Sequence, residues 1–217
     1  MKFGFLIFPD AEELDFIGPW EIIGMWGKAF HGPEECLLVS QTGGTVRCAK
    51  GLRVLTDYSF INCPRLDYLL IPGGQGTRKE VDNQDLLAFV QKQGVTCRQL
   101  LSVCTGSFIL ESAGFLKGKK ATTHWRSLER LRGRPDVGVV EERFVRDGNI
   151  WTAAGISAGI DLALAFIADQ AGGETAGQVQ LATEYYPGPR KYGRAHLIPE
   201  APAYIQKDKG AEQDVSA

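Results

Sequence analysis

The 217-residue sequence has no marked excess of either charge and no closely spaced pair of cysteines. Its 24 basic and 26 acidic residues give a net charge of -2, which argues against the strongly positive surface of nucleic-acid and anionic-membrane binders. None of the five cysteines is separated from another by two residues, so the spacing of zinc ribbons and thioredoxin motifs is missing. We therefore expect no metal site, no nucleic-acid partner and no membrane partner.

Long apolar runs are also missing from the sequence. The first apolar segment, residues 1–8, stops at Pro9 and Asp10 and is too short to cross a membrane. No small-residue cleavage site follows it, so we interpret it as a buried first strand. We accordingly expect a cytoplasmic protein whose cysteines are reduced thiols.

Strand-like and helix-like segments alternate along the chain, which favours an α/β fold with a mostly parallel sheet covered on both faces. Predicted strands are residues 1–8, 35–40, 66–71, 97–103, 137–140, 144–146 and 150–152, with short antiparallel pieces at 45–48 and 53–56. Predicted helical segments lie within residues 11–27, around 86–90, and at 106–113, 157–171 and 174–185, with Pro19 in the first turn of its helix. We expect one domain over residues 1–186 and an irregular tail over residues 187–217.

The strongest chemical signal lies between Leu100 and Leu110. An apolar run ends at Cys104, and a Gly- and Ser-containing segment with helical spacing follows at once, which predicts a strand joined to a helix by a tight turn. A cysteine at such a bend lies beside the free N–H groups of the helix start, which favour the thiolate. The pattern is a nucleophile elbow with cysteine as the nucleophile. A small, inert, buried cysteine is the alternative interpretation.

A second loop, Pro72-Gly73-Gly74-Gln75-Gly76, follows another predicted strand. Ligands of open α/β sheets bind at the carboxyl ends of the strands, so this loop and the Cys104 turn are expected on the same edge. Its glycines fit neither a dinucleotide fingerprint nor a Walker loop. We predict that N–H groups of Gly73 and Gly74 stabilise developing negative charge, with a plain strand-to-helix turn as the alternative.

Two further side chains are candidates for acid–base chemistry. Asp15 lies between Leu14 and Phe16, and burial in such an apolar setting raises a carboxyl pKa, so that a neutral acid can donate to a thiolate. A helix-capping role is the alternative for Asp15. His124 follows a strand-like stretch and is the candidate base for a Cys–His pair.

Five segments together resemble the DJ-1/PfpI superfamily. Within it they resemble the isonitrile hydratase branch and the sensor domains of related AraC-type regulators. The segments are residues 14–19 (Leu-Asp-Phe-Ile-Gly-Pro), 71–74 (Ile-Pro-Gly-Gly), 103–107 (Val-Cys-Thr-Gly-Ser), 121–125 (Ala-Thr-Thr-His-Trp) and 155–161 (Gly-Ile-Ser-Ala-Gly-Ile-Asp). The resemblance implies a flavodoxin-like three-layer sandwich and a homodimer. It also implies that Cys104 is the nucleophile and that Asp15 is its acidic partner.

The same resemblance implies a function. Thr105 stands where the protease-like branch has a histidine, which speaks against a Cys–His protease and suggests a hydrogen bond to the sulfur. The implied reaction hydrates a small isonitrile, R–NC, to an N-substituted formamide through a Cys104 thioimidate, without a metal or organic cofactor. His124 and Ser157 are expected to line the substrate site. Two alternatives stay open: a glyoxalase or deglycase acting on aldehydes, and a redox or ligand sensor in which Cys104 is oxidised.

Overall fold

The computed structural model describes residues 1–188 and 192–206. Its strands are β1 (Lys2–Leu6), β2 (Glu35–Ser40), β3 (Gly44–Arg47), β4 (Arg53–Thr56), β5 (Tyr58–Ser59), β6 (Tyr68–Ile71), β7 (Gln99–Val103), β8 (Lys119–Ala121), β9 (Val137–Val139), β10 (Phe144–Asp147) and β11 (Ile150–Ala153). Its α-helices are α1 (Glu13–Ala29), α2 (Thr77–Glu80), α3 (Gln84–Thr96), α4 (Gly106–Ser112), α5 (Leu128–Arg132), α6 (Ala158–Ala171), α7 (Gly173–Ala182) and α8 (Ala203–Gln206). Short 3-10 turns lie at Trp125–Ser127 and Ala195–Leu197.

Seven strands form the central sheet, in the order β10-β11-β7-β6-β1-β2-β5. Neighbouring strands are parallel except for β10, which pairs antiparallel with β11 at the edge. Strands β3 and β4 form a separate antiparallel hairpin, and β8 and β9 a small parallel pair. This arrangement confirms the predicted α/β class with a mostly parallel sheet.

The sheet is buried on both faces, because alternate residues of its inner strand β1 enter different cores. Phe3 and Phe5 of β1 belong to a cluster that includes residues of α1, α6 and α7, whereas Leu6 belongs to a second cluster with α3, α4 and α5. Side chains of successive strand residues point to opposite faces, so a strand covered on both sides is apolar almost throughout. The fold therefore has three layers, as expected.

The direction of strand order changes beside β1. Strands β2 and β5 lie on one side of β1, and β6 and β7 lie on the other. The loops after β1 and β6 consequently leave the same edge of the sheet, and an isolated bridge between Ala11 and Gly74 joins them. Cys104 follows β7, the next strand, so all three loops meet where an open α/β sheet binds ligands.

Two expectations about the helices need correction. Pro19 lies inside α1 rather than in its first turn, because the helix already begins at Glu13. Its ring packs closely on α6, where a Cβ on Gly159 would lie 2.9 Å from the Cγ of Pro19. The predicted helix over residues 174–185 ends at Ala182.

The region expected to be an irregular tail contains the short helix α8, whose Tyr204 packs against the core. The tail is therefore not irregular throughout. Residues 189–191 and 207–217 of the predicted tail lie outside the described residues. Within the part of the chain that the structure describes, no helix is both long and apolar enough to span a bilayer.

Candidate active site

Cys104 forms the tight turn between β7 and α4, which confirms the predicted strand–turn–helix. Its backbone φ is 56°, in the left-handed region that costs an L-residue about 1–2 kcal/mol. The Cys104 N–H donates to the carbonyl oxygens of Ala153 and Ala154, both at 3.0 Å. The Thr123 hydroxyl donates to the carbonyl oxygen of Cys104 at 2.9 Å. These bonds hold the strained turn in place, so the position of the thiol is fixed by the ends of two other segments.

Asp15 lies in the first turn of α1 and is fully buried. Its Oδ2 accepts a hydrogen bond from the Gly73 N–H at 2.8 Å. Its Oδ1 is buried without a hydrogen-bond partner of regular geometry in the described chain. Burial raises the pKa of this carboxyl well above its usual range, while the Gly73 N–H and an interaction with the Cys104 thiol lower it in part. The predicted juxtaposition of carboxyl and thiol is therefore present in the structure.

Opposing effects act on the pKa of the Cys104 thiol. Burial, and then the nearby Asp15 charge, raise the pKa of the Cys104 thiol well above its ordinary value, although hydrogen bonds from the backbone and side chain of Thr105 lower it in part. Burial of the charge opposes the predicted effect of the helix start, because burial disfavours the thiolate. Since a charge on either group opposes a charge on the other, Cys104 and Asp15 titrate as a pair.

The two glycines of the loop after β6 have structural partners of their own. The Gly73 N–H donates to Asp15, and the Gly74 N–H donates to Oγ1 of Thr105 at 3.0 Å. A Cβ on Gly73 would lie 2.8 Å from the Cβ of Cys104, so glycine permits the close approach of the loop to the turn. We predicted that both N–H groups are free to stabilise a ligand's charge. In the structure they are already bonded to protein acceptors. They position Asp15 and Thr105.

His124 borders the Cys104 turn. It is half-buried, and its imidazole packs against Gly155, the residue that follows Ala154. Burial and the charge of Arg126 lower the pKa of His124, and its Nδ1 accepts a hydrogen bond from the Arg126 N–H at 3.3 Å. The neutral ring then carries its proton on Nε2, so His124 can donate a hydrogen bond through Nε2 rather than accept a proton there.

Ser157 hydrogen-bonds outside this group. Its side chain is exposed, and its hydroxyl accepts a hydrogen bond from Nη2 of Arg143 at 3.0 Å. Arg143 in turn pairs with Asp161 of α6 at 2.6 Å. In the described part of the chain, no hydrogen bond joins Ser157 to Cys104, Asp15 or Thr105, and its predicted place in the substrate site has no structural support.

The sequence analysis missed a charged cluster beside Asp15. Lys50, between β3 and β4, binds the side chain of Glu12, and its N–H donates to Oε1 of Glu13 at 2.6 Å. Lys50 lies 38 residues from Glu12 and belongs to no motif, so only the hairpin geometry brings them together. Within residues 1–188 and 192–206, no group of three or more metal-ligating side chains could hold a metal ion.

Comparison with known proteins matches the family model described as "DJ-1/PfpI family" to residues 1–169. The chain belongs to the DJ-1/PfpI family. A DJ-1/PfpI relative, the isonitrile hydratase of Pseudomonas putida, is 38% identical over 191 residues, which cover 87% of this chain and 80% of that protein. A deglycase of Pyrococcus horikoshii is 28% identical over 160 residues, which cover 73% of this chain and 92% of the relative.

A solved structure supports the same DJ-1/PfpI assignment. The crystal structure of a THiJ/PfpI family protein from Pseudomonas syringae superposes with a TM-score of 0.82 at 32% identity. The superposition covers 95% of this chain and 83% of the Pseudomonas syringae chain. The family resemblance and the flavodoxin-like fold expected from the sequence are thereby confirmed.

Proposed function

We propose that this protein is an isonitrile hydratase-like lyase in which Cys104 is the nucleophile and Asp15 moves the protons. One observation carries the proposal: the buried carboxyl of Asp15 interacts with the Cys104 thiol, and its Oδ1 has no hydrogen-bond partner of regular geometry in the described chain. A buried carboxyl with a free oxygen next to a protonated thiol is suited to accept and return a proton. The similarity to the Pseudomonas putida isonitrile hydratase supports the choice of substrate.

In the first half of the reaction, the sulfur of Cys104 attacks the terminal carbon of R–NC as Asp15 takes the thiol proton. The carbon–sulfur bond forms and the former isonitrile carbon keeps an electron pair. Asp15 then delivers the proton to that carbon, which gives the thioimidate R–N=CH–S–Cys104. The proton that the carbon receives is thus the one that the thiol loses on attack.

In the second half, water adds to the thioimidate. Asp15 takes a proton from the water as the water oxygen bonds to the thioimidate carbon. Asp15 then passes that proton to the nitrogen. Asp15 then takes the proton of the new hydroxyl, the carbonyl forms, and the carbon–sulfur bond breaks with its electron pair on sulfur. Return of the proton to Cys104 completes the reaction R–NC + H2O → R–NH–CHO, which needs no redox step.

Thr105 and His124 have supporting roles in this scheme. The N–H and hydroxyl of Thr105 lower the pKa of the Cys104 thiol, and in this scheme they stabilise negative charge on the sulfur as the carbon–sulfur bond forms and breaks. The Thr105 hydroxyl is itself positioned by the Gly74 N–H and by the Thr77 hydroxyl at 3.0 Å. His124, neutral with its proton on Nε2, is assigned as a hydrogen-bond donor at the border of the site.

A glyoxalase or deglycase activity is the second candidate. The similarity to the Pyrococcus horikoshii deglycase favours it, and the same thiol could add to the carbonyl carbon of a reactive aldehyde with Asp15 as the base. The two functions use one nucleophile on different electrophiles, so the choice between them depends on the substrate.

A side-by-side assay of the purified protein tests the proposal. We expect turnover of a simple alkyl isonitrile to the N-alkylformamide, measured by NMR, at a rate well above that with methylglyoxal. Turnover of methylglyoxal alone would establish the second candidate. Turnover of neither, together with a gain of two oxygen atoms at Cys104 under mild peroxide, would contradict both enzymes and favour a sensor.

The same sample tests the proposed assembly. We infer a homodimer, since α1 exposes Leu14 and Trp20 and the neighbouring hairpin exposes Leu52 and Leu55. Light scattering should give twice the chain mass of 23.8 kDa, and a single-chain mass would contradict the dimer.

A further inference from the structure

The tip of the β3–β4 hairpin is fixed to the start of α1 by Lys50. Its backbone N–H donates to Oε1 of Glu13 at 2.6 Å, and its Nζ binds Oε1 of Glu12 and lies 3.8 Å from Oε2 of Glu13. The Ala49 N–H adds a hydrogen bond to the carbonyl of Ala11 at 2.9 Å. These contacts join a surface hairpin to the helix turn that carries Asp15.

Glu12 is connected to Asp15 on both sides through the backbone. Its N–H donates to the carbonyl of Gly73 at 2.9 Å, and its own carbonyl accepts from the Asp15 N–H at 3.2 Å. Gly73 is also the donor to the Asp15 carboxyl. A displacement of Glu12 is therefore passed directly to the loop and to the helix turn that together hold the carboxyl.

Two largely buried carboxylates consequently border Asp15. The side chains of Glu12 and Glu13 are 14% and 12% exposed, and Oε2 of Glu13 has no hydrogen-bond donor in the described chain. Among the residues that the structure describes, Lys50 is the one cation that pairs with either of them. Without Lys50, the charge of Glu12 would act on the Asp15–Cys104 pair uncompensated.

The titratable groups that face this region come from five segments. Asp10 lies in the loop after β1, Glu12, Glu13 and Asp15 at the start of α1, Lys50 in the hairpin, Cys104 after β7 and His124 after β8. The charge of Glu12 raises the pKa of Asp15, of Cys104 and of His124, whereas the charge of Lys50 lowers the pKa of Asp15. Burial, followed by the charges of Glu13 and Asp10, raises the pKa of the neighbouring Cys48 thiol to about 11.

We propose that Lys50 is a positioning residue for the Asp15–Cys104 pair: it neutralises Glu12 and Glu13 and holds the first turn of α1 against the loop after β6. For isonitrile turnover this inference rests on the proposed function. The effect of Lys50 on the reactivity of the thiol does not, because alkylation of Cys104 needs no substrate.

Replacing Lys50 by methionine removes the charge and keeps the length of the side chain. In Lys50→Met, the uncompensated Glu12 should raise the pKa values of Asp15 and Cys104 further. Alkylation of Cys104 by iodoacetamide at pH 8 and low salt should then be about 3- to 10-fold slower, and the acid limb of hydration should move up by about 0.5–1 pH unit. Because Lys50 is 65% exposed, 1 M NaCl should shrink the difference.

Three further variants make the test specific, each measured by mass spectrometry of the Cys104 peptide across pH after circular dichroism shows a native fold. Lys50→Arg, which keeps the charge, should behave as the unmodified protein. Lys50→Met with Glu12→Gln should restore most of the alkylation rate, since the second change removes the uncompensated carboxylate. Lys117→Met, at an exposed lysine before β8, is the matched control and should change nothing.

Two results would overturn the role of Lys50. The first is an alkylation profile of Lys50→Met that superposes on that of the unmodified protein at low salt. The second is a reduced alkylation rate in Lys50→Met that the additional change Glu12→Gln does not restore, which would exclude the charge explanation. If the unmodified protein hydrates no isonitrile while the alkylation rates follow the prediction, the proposed function fails and the inference about Lys50 stands.

Discussion

Replacing Cys104 by serine should lower the hydration of alkyl isonitriles by a factor of about 10⁴ or more, because an alcohol is a far weaker nucleophile at neutral pH. Serine is close to cysteine in size, so it fits the turn held by Thr123 and by the carbonyls of Ala153 and Ala154. The measurement is formamide formation per mole of folded protein.

The control for this variant is Cys63→Ser. Cys63 is half-buried and its thiol donates to the carbonyl of Pro64 at 3.4 Å, a bond that serine can replace. The Cys63→Ser variant should keep near-normal turnover, because Cys63 lies in the segment before β6, at the opposite end of that strand from the active-site loop. Cys104→Ser with more than a tenth of the normal rate would show that the thiol is not the nucleophile.

Replacing Asp15 by asparagine should separate turnover from thiol reactivity. Turnover should fall by about 10³-fold, within the usual contribution of general acid–base catalysis, because asparagine cannot carry the proton. Alkylation of Cys104 by iodoacetamide should become faster, since the Asp15 charge that raises the pKa of the thiol is gone. The asparagine carbonyl can still accept the Gly73 N–H, so the local geometry is kept.

Thermal stability supplies the control for Asp15→Asn. Because burial raises the carboxyl pKa in the folded state, the stability that Asp15 contributes is full below its unfolded pKa of about 3.9 and declines as pH rises toward the raised folded value. Asparagine has no such loss. The melting temperature of the variant should therefore rise relative to that of the unmodified protein as pH rises through that window. A variant that loses turnover and alkylation together would indicate a structural role for Asp15 instead.

Much of the fold could be predicted from local patterns. The apolar runs that become β1, β6 and β7 are buried on both faces, and such strands are recognised without knowledge of their partners. The Cys104 turn was also predictable, because an apolar strand, a small-residue bend and helical spacing follow one another within eleven residues. The carboxyl of Asp15 was found through its apolar neighbours, Leu14 and Phe16.

The remaining features depend on tertiary contacts that the sequence does not display. Pro19 is accommodated within α1 because its ring packs on Gly159 of another helix. The burial that raises the pKa of the Cys104 thiol is likewise set by tertiary contacts. The sequence indicates that the N–H groups of Gly73 and Gly74 belong to the site. It does not display their acceptors, Asp15 and Thr105, because the folding of three separate loops brings these groups together.

The central claim is that isonitrile bonds covalently to Cys104 before water adds. The most direct measurement is rapid acid quench of the unmodified protein mixed with an alkyl isonitrile, followed by mass spectrometry of the peptide that contains Cys104. The account predicts that this peptide transiently gains the full mass of the isonitrile, since addition expels no atom, and that the gain decays as N-alkylformamide accumulates. Formamide production with no mass gain at Cys104 at any time, under conditions where an adduct on another residue is detected, would contradict the account.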